Sequence, residues 1–223
     1  MRRLIFSEGE FYHLYNRGVD KRTVFTSATE YRRFLAYLYL LNSTDAVRAD
    51  SLFIRTGLED ILTYERGTPL VAIGCFCLMP NHFHILATPL IENGISKFMQ
   101  RLQTAYTMYF NEKHKRSGSL FQGTYKARHA QRDEYLKYLF AYIHLNPAKL
   151  ADPQWKERSR RDLRGLYEQV GTYPYSSIRE YHSSRFVISD PKPFPEYFAT
   201  TRDFDTYVSH WMEYKDEAEK WKV

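Results

Sequence analysis

The sequence has few cysteines and no long apolar segment, and both absences narrow the function. Only two of its 223 residues are cysteine, Cys75 and Cys77, and they alternate onto one face of the same predicted strand. That geometry is unsuited to a disulfide between them, so a reduced, cytoplasmic setting is expected. No apolar run approaches the length of a membrane span, and charge follows the first six residues where a signal peptide would have its apolar core. We therefore expect a soluble, intracellular protein with no membrane partner.

The composition favours a folded protein with a polyanionic partner. Hydrophobic residues make up 43% of the chain, which is enough for a core. Lysine and arginine number 32 against 26 aspartates and glutamates, so the net charge is +6. Aromatic residues, at 17%, add surfaces on which bases can stack, although most are expected in the core. Nucleic acid is the partner that this balance favours.

Hydrophobic periodicity predicts strand, helix, strand, strand, helix and strand, followed by a third helix. The predicted ranges are a strand at 11–17, a helix from Ser27 to about Asn42, strands at 70–78 and 82–88, a helix carrying the stripe from Ile95 to Phe110, a strand at 120–130, and a helix that Asp133 caps and Pro147 ends. Ser27 and Glu30 have the spacing of a capping box. This order is the ferredoxin-like (RRM-like) α+β arrangement, an antiparallel sheet with helices on one face.

The chain divides into a core and an extension. Residues 1–150 contain the predicted sheet and its helices, with an excursion at 43–69 that the core pattern does not need. Residues 151–223 are first polar and basic and then rich in tyrosine and phenylalanine, and they form a C-terminal extension. No internal repeats are present.

The candidate site begins with two histidines on the predicted strand 82–88. Successive residues of a strand point to opposite faces, so His82 and His84 share one face while Phe83 points to the other. Two imidazoles on a rigid strand are a compact way to present ligands to a divalent metal. Two histidines at this spacing are about as often a partly exposed pair that binds no metal. Only the rest of the sequence favours a metal site over that alternative.

The last core helix supplies the other half of the candidate site. Tyr142 and Asn146 are four residues apart and share one helix face. A carboxamide oxygen is a suitable ligand for Mg²⁺ or Mn²⁺, so His82, His84 and Asn146 form a candidate three-ligand metal site. Tyr142 is then the candidate nucleophile for a phosphodiester held by that metal. Tyr138 is its main rival, since it lies on the same general side of the helix.

Basic residues near the ends of the predicted elements are candidate phosphate contacts. We select Arg17, Arg101, Lys126 and Arg128 as DNA-binding residues, although solvated surface charge explains each one equally well. The basic loop at 113–119 can likewise be a phosphate contact or a solvated surface loop.

Several motifs together resemble one known family. The segments MPNHFHIL (79–86) and YIHLNP (142–147) are similar to those of the single-tyrosine HUH transposases, and most similar to the REP-associated tyrosine transposases. YHLYNRG (12–18), RSGSLFQG (116–123) and YPYSS (173–177) add to the resemblance. It implies a metal-dependent endonuclease and transposase that nicks and rejoins single-stranded DNA near REP-type hairpins. It also implies a 5′-phosphotyrosyl intermediate on Tyr142, with His82 and His84 as metal ligands.

The resemblance is less close at the third metal ligand, and it does not decide the oligomeric state. The wider family often has glutamine where Asn146 stands, and asparagine is one methylene shorter. Both a monomer and a homodimer stay open for a chain with this extension.

Two other functions remain open at this point. An RRM-like module that binds single-stranded nucleic acid without catalysis would explain the charge and the aromatic residues. A structural zinc site made of Cys75, Cys77, His82 and His84 is the other alternative, although its spacing is unlike that of known zinc sites.

Overall fold

The protein forms an antiparallel four-stranded sheet with helices on both faces. The computed structural model describes residues 4–47, 52–53, 57–157 and 160–213. The strands are β1 (Tyr12–Arg17), β2 (Val71–Met79), β3 (His82–Pro89) and β4 (Lys126–His129), in the spatial order β2-β3-β1-β4. The helices are α1 (Ala28–Leu40), α2 (Leu58–Ile61), α3 (Gly94–Lys113), α4 (Asp133–His144), α5 (Ala148–Ala151), α6 (Arg160–Gly171), α7 (Ile178–Ser183) and α8 (Thr201–Glu213), with 3₁₀ turns at Val19–Lys21 and Trp155–Glu157. The predicted α+β class and antiparallel sheet are confirmed.

The first face of the sheet packs against α1 and α3. Leu14, Phe83 and Ile85 point from the strands into this core, where they meet helix residues such as Phe34 and Phe98, all fully buried. Burial of large apolar side chains of this kind contributes about 1.5–3 kcal/mol each. This half of the molecule is the arrangement expected from the order of the elements.

The second face carries helices as well, which differs from the expectation of helices on one face alone. A bulge at Gly74 shifts the register of β2, so Cys75 and Cys77 point to this face together with Leu86. These apolar side chains need cover, and α4 provides it through its own apolar stripe, which includes Leu139. Both cysteines are buried and free, as predicted.

The extension continues the second core. Helices α6, α7 and α8 form one buried cluster with α4 and the second face of β2. The segment before α7 also lies along the outer edge of β2, where Leu78 donates its backbone N–H to the Tyr175 carbonyl at 2.9 Å and Ser177 donates to the Phe76 carbonyl at 3.0 Å. Because an open edge strand invites pairing with other chains, this segment protects β2.

Two local predictions are wrong in detail. The strand expected at 120–130 is regular only over Lys126–His129, because Gly123 adopts a left-handed conformation (φ +71°) that interrupts the extended chain. Helix α1 begins where expected, but Ser27 makes no side-chain cap. Glu30 instead accepts hydrogen bonds from the backbone N–H and the hydroxyl of Thr26.

Parts of two predicted regions lie outside the described residues. These are residues 48–51 and 54–56 of the excursion at 43–69, and residues 158–159 of the basic stretch in the extension. Among the helices that the structure describes, none combines the length and the hydropathy needed to cross a membrane.

Glu30 is a buried carboxylate whose charge we expect to stabilise the fold. Burial raises its pKa, but hydrogen bonds from Lys113, Thr26 and His114 lower it to about 2. Since the unfolded chain holds this proton more tightly, the contribution is complete above pH 4.5 and is lost as the pH falls towards 2. Glu30→Gln should lower the free energy of unfolding at pH 7 by about 2–3 kcal/mol, measured by urea denaturation. The exposed Glu112→Gln serves as the control, and an equal loss there would contradict the prediction.

Candidate active site

Two histidines lie side by side on the second face of the sheet. His82 and His84 point to the same side of β3, with ring centroids 5.0 Å apart, while Phe83 is buried in the opposite core. His82 is paired in register with Arg17 of β1, and His84 with Tyr15. The alternation of the strand therefore places the two imidazoles as the sequence predicts.

Each imidazole is oriented through its Nδ1 atom. His82 Nδ1 lies 2.6 Å from Asn81 Oδ1, and His84 Nδ1 lies 2.8 Å from His13 Nε2. A histidine that binds a metal commonly uses one ring nitrogen for the ion and donates the other N–H to a neighbouring acceptor. The Nδ1 contacts therefore leave Nε2 of both rings as the atom suited to ligation.

The end of α4 brings Asn146 and Tyr142 to these histidines. Asn146 Nδ2 donates to the Tyr142 carbonyl at 2.8 Å, which sets the direction of the carboxamide. The same carboxamide lies close enough to the side chains of His82 and Tyr142 to act on the pKa of both. The Tyr142 ring is half-buried and stands edge-on to His84, with centroids 5.4 Å apart. All four predicted site residues thus meet at one place.

The electrostatics of the site keep its imidazoles neutral. Burial, and then the charges of Arg17 and Lys149, lower the pKa of His82 to about 4. Burial likewise lowers the pKa of His13 to about 3 and that of His84 well below its usual value. For Tyr142, burial raises the phenol pKa, and the hydrogen bond with Asn146 opposes that rise. Neutral imidazoles offer lone pairs to a metal at physiological pH.

A divalent ion fits this donor set better than it fits the cysteine-containing alternative. His82 and His84 offer two nitrogen atoms and Asn146 offers one carboxamide oxygen, a mixed set suited to a divalent metal with positions left open. Across the described part of the chain, no group of three or more His, Cys, Asp or Glu side chains is placed to hold a metal. Among these residues, Cys75 and Cys77 therefore do not form such a group with His82 and His84.

The other tyrosines are less well placed than Tyr142. Tyr138 is buried on α4, where its ring packs against Trp211 at a centroid distance of 4.7 Å. Burial raises the Tyr138 pKa, and the neighbouring Tyr142 and Tyr135 raise it further. Tyr106 lies in the core of the first face and donates its hydroxyl hydrogen to the Val24 carbonyl. Neither contacts the histidine pair in the way that Tyr142 does.

Three of the four predicted basic residues lie on the same face as the site. Arg17 ends β1 beside His82. On β4, the exposed Lys126 and Arg128 are paired with Tyr15 and His13, whose side chains also point to the second face. Arg101 is elsewhere, because it lies on α3 and donates to the Ser43 carbonyl at 2.5 Å.

Three residues that are not among the predicted site residues also surround the site. His13 contacts His84, and the Tyr15 ring lies next to both, with centroids 4.9 Å from that of His13 and 5.9 Å from that of His84. The period-two pattern of His13, Tyr15 and Arg17 on β1 was the signal for a second polar face. Lys149, on α5, follows Asn146 by three residues, and its charge acts on both His82 and His84. No motif marked it, since a lysine at that spacing is ordinary in any helix.

Comparison with known proteins gives one family match. Residues 54–146 match the family described as IS200-like transposases, and the match contains both histidines and ends at Asn146. The match shows that this part of the chain is similar to transposases, and it confirms the predicted resemblance over those residues. No curated protein matches.

One solved structure is similar in outline. It is described as a REP-associated tyrosine transposase bound to a REP hairpin, with a TM-score of 0.49 and 13% identity, and the alignment covers 85% of this chain and 90% of the other. At this identity and score the similarity supports no conclusion about the site.

The buried histidines should make folding stability depend on pH. Because the pKa of His13 falls from 6.5 in the unfolded chain to about 3 in the fold, the unfolded state binds more protons between these values. The free energy of unfolding should therefore decrease as the pH drops below 6.5, and His13→Gln should reduce this slope by about 1.4 kcal/mol per pH unit. Urea denaturation at pH 7, 6 and 5 measures both slopes. An identical slope in the variant would contradict the prediction.

Proposed function

From the transposase match and the geometry of the site, we propose that this protein is a metal-dependent transposase that nicks and rejoins single-stranded DNA beside hairpins. Tyr142 is the nucleophile, and His82, His84 and Asn146 are the metal ligands. The observation that supports the proposal best is the convergence of the four side chains: the rings of His82 and Tyr142 lie 5.0 and 5.4 Å from that of His84, and Asn146 is held beside them by its hydrogen bond to the Tyr142 carbonyl. The hairpin and the REP-associated branch come from the sequence resemblance.

The three ligands supply a place for Mg²⁺ or Mn²⁺ beside the phenol. When bound, such an ion polarises a phosphate and stabilises the negative charge that develops on it. The chain's own residues orient the reaction, because the contacts of Asn81 and His13 hold the two imidazole rings in place. Asn146 then couples the ligand set to the nucleophile.

Attack by Tyr142 transfers the phosphoryl group without loss of bond energy. The phenolic oxygen forms a new bond to phosphorus, the bond from phosphorus to the 3′ oxygen breaks, and that oxygen leaves as a 3′-hydroxyl with the phenolic proton. The product is a 5′-phosphotyrosine, and a second 3′-hydroxyl reverses the step and joins a new strand. Asn146 offsets part of the rise that burial imposes on the Tyr142 pKa, which assists loss of the proton during attack.

The DNA strand lies across the face formed by β1 and β4. Three basic side chains point to this face, those of Arg17, Lys126 and Arg128. They contact phosphate oxygens, which positions the DNA backbone but does not read the base sequence. The net charge of +6 adds a general attraction for nucleic acid. Arg101 does not take part, since its guanidinium is used in a contact with the 43–45 segment.

The first test is the covalent intermediate. Wild-type protein incubated with single-stranded hairpin DNA and Mg²⁺ should form a protein–DNA adduct that survives a denaturing gel, and Tyr142→Phe should form none, because the attacking oxygen is absent. Tyr138→Phe is the matched control, one turn away on the same helix, and should retain the adduct.

Two outcomes would contradict this assignment in different ways. Loss of the adduct in Tyr138→Phe but not in Tyr142→Phe would move the nucleophile to Tyr138. Tight binding of hairpin DNA by the wild type, with no adduct on any hairpin, would instead favour the non-catalytic binding module.

The second test measures metal binding directly. We expect His84→Gln to abolish Mn²⁺ binding, monitored by electron paramagnetic resonance of the ion, and His13→Gln to weaken it about 10–100-fold, because His13 orients His84 and does not ligate. His129→Gln is the control, since His129 is bonded to Glu10 and its side chain is stacked on Tyr12, away from the site. Unchanged Mn²⁺ affinity in His84→Gln would remove His84 from the ligand set.

A further inference from the structure

A cleft opens directly beside Tyr142, between the core and the extension. It is narrow: the centre of a water-sized molecule can move within about 40 Å³, and the empty space reaches about 410 Å³ only when the part open to solvent is included. Its walls come from α4, α5, the turn at Trp155–Glu157 and α8. The lining residues are Tyr138, Tyr142, Leu145, Asn146, Lys149, Trp155, Lys156 and Trp211.

The walls of this cleft are aromatic. Trp155 is only 5% exposed, and its Nε1–H has no acceptor among the described residues. Trp211 is half-buried and packs edge-on against Tyr138. Flat rings around a narrow space suit a flat ligand, and stacking of a base on an aromatic side chain contributes to affinity whatever the base is.

The rim of the cleft carries positive charge without a carboxylate to neutralise it. Lys149 and Lys156 are both exposed, and neither forms an ion pair within the described residues. Partial burial lowers the pKa of Lys149, and the charges of Lys156 and Arg17 lower it further. Lys149 and Lys156 at the rim repel each other and are stabilised by an anion beside them, and a phosphate is the anion expected next to the nucleophile.

We propose that this cleft binds one nucleobase of the single strand, with its phosphate on Lys149 and Lys156, immediately next to the phosphate that Tyr142 attacks. The proposal depends on the function proposed above and adds a binding site to it. The cleft holds the flanking nucleotide out of the base stack, so that the scissile phosphate stays between the phenol and the metal ligands. The extension thereby becomes part of the DNA site, because Trp155, Lys156 and Trp211 all belong to it.

The experiment combines a change in the DNA with a change in the protein. The probe is a hairpin with ten-nucleotide oligo(dT) flanks, in which one abasic nucleotide is moved step by step past the cleaved position. Binding is measured in EDTA, where no cleavage takes place, and the cleaved position is mapped separately from the adduct formed in Mg²⁺. The protein variants are Trp211→Leu, Trp155→Leu and Lys149→Gln, with Lys97→Gln on α3 as the control for loss of a surface cation.

One abasic position next to the cleaved phosphate should weaken wild-type binding about tenfold. Trp211→Leu should weaken binding of the intact strand by a similar factor. In this variant the abasic strand should bind as tightly as the intact strand, because the ring on which the missing base would stack is absent. Lys149→Gln should weaken binding of the intact strand, whereas Lys97→Gln should not do so by more than a general charge effect. Thermal unfolding of each variant shows whether it is folded. If the buried Trp155→Leu variant does not fold, the test still stands on Lys149→Gln and Trp211→Leu, because these side chains are exposed and half-buried.

The proposal is overturned if no abasic position near the cleaved phosphate matters, or if the abasic effect is the same in wild type and in Trp211→Leu. In that case adduct formation still stands, and only the cleft has failed. If the protein neither binds the strands nor forms an adduct, the proposed function and the cleft fail together.

Discussion

The packing of α4 against the second face of the sheet is the constraint on which the site depends. Strand β3 carries the two histidines, and α4 ends with Tyr142 and Asn146, so neither element holds a complete site. Their contact is fixed by apolar residues such as Cys77, Leu86 and Leu139, which are fully buried together. Because these side chains are close-packed, the helix cannot slide without opening a cavity. At the end of the helix, the hydrogen bond from Asn146 Nδ2 to the Tyr142 carbonyl sets the direction of the carboxamide.

Burial gives the same site its chemical character. The imidazoles of His13 and His84 have almost no solvent-exposed surface, and neighbouring cations add to the effect of burial, so both prefer the neutral form, as His82 does. The phenol of Tyr142 is affected in the opposite sense, since burial also favours its neutral form but here resists loss of the proton. A site of this kind is well prepared to bind a cation and poorly reactive without one. The positive charges of Arg17 and Lys149 at its edge suit an anionic substrate.

The extension contributes more than surface area. It protects the outer edge of β2 through backbone hydrogen bonds at Phe76 and Leu78, and it completes the apolar cover of α4. It also brings Trp155 and Trp211 beside Tyr142. Its helices cover one half of the second face and leave the half formed by β1 and β4 open, which is where the proposed function places the single strand.

The local sequence determined which helices and strands form and which residues make up each half of the site. Alternation placed His82 and His84 on one face of a strand, helical spacing placed Tyr142 near Asn146, and the order of elements predicted the sheet, because all of these depend on neighbours in the chain. Tertiary structure alone decided that α4 lies on the second face, that His13 supports His84, that Arg101 turns towards residues 43–45 and that Lys149 joins the site. These contacts join residues far apart in sequence, and only the packing of complete elements determines which of them meet.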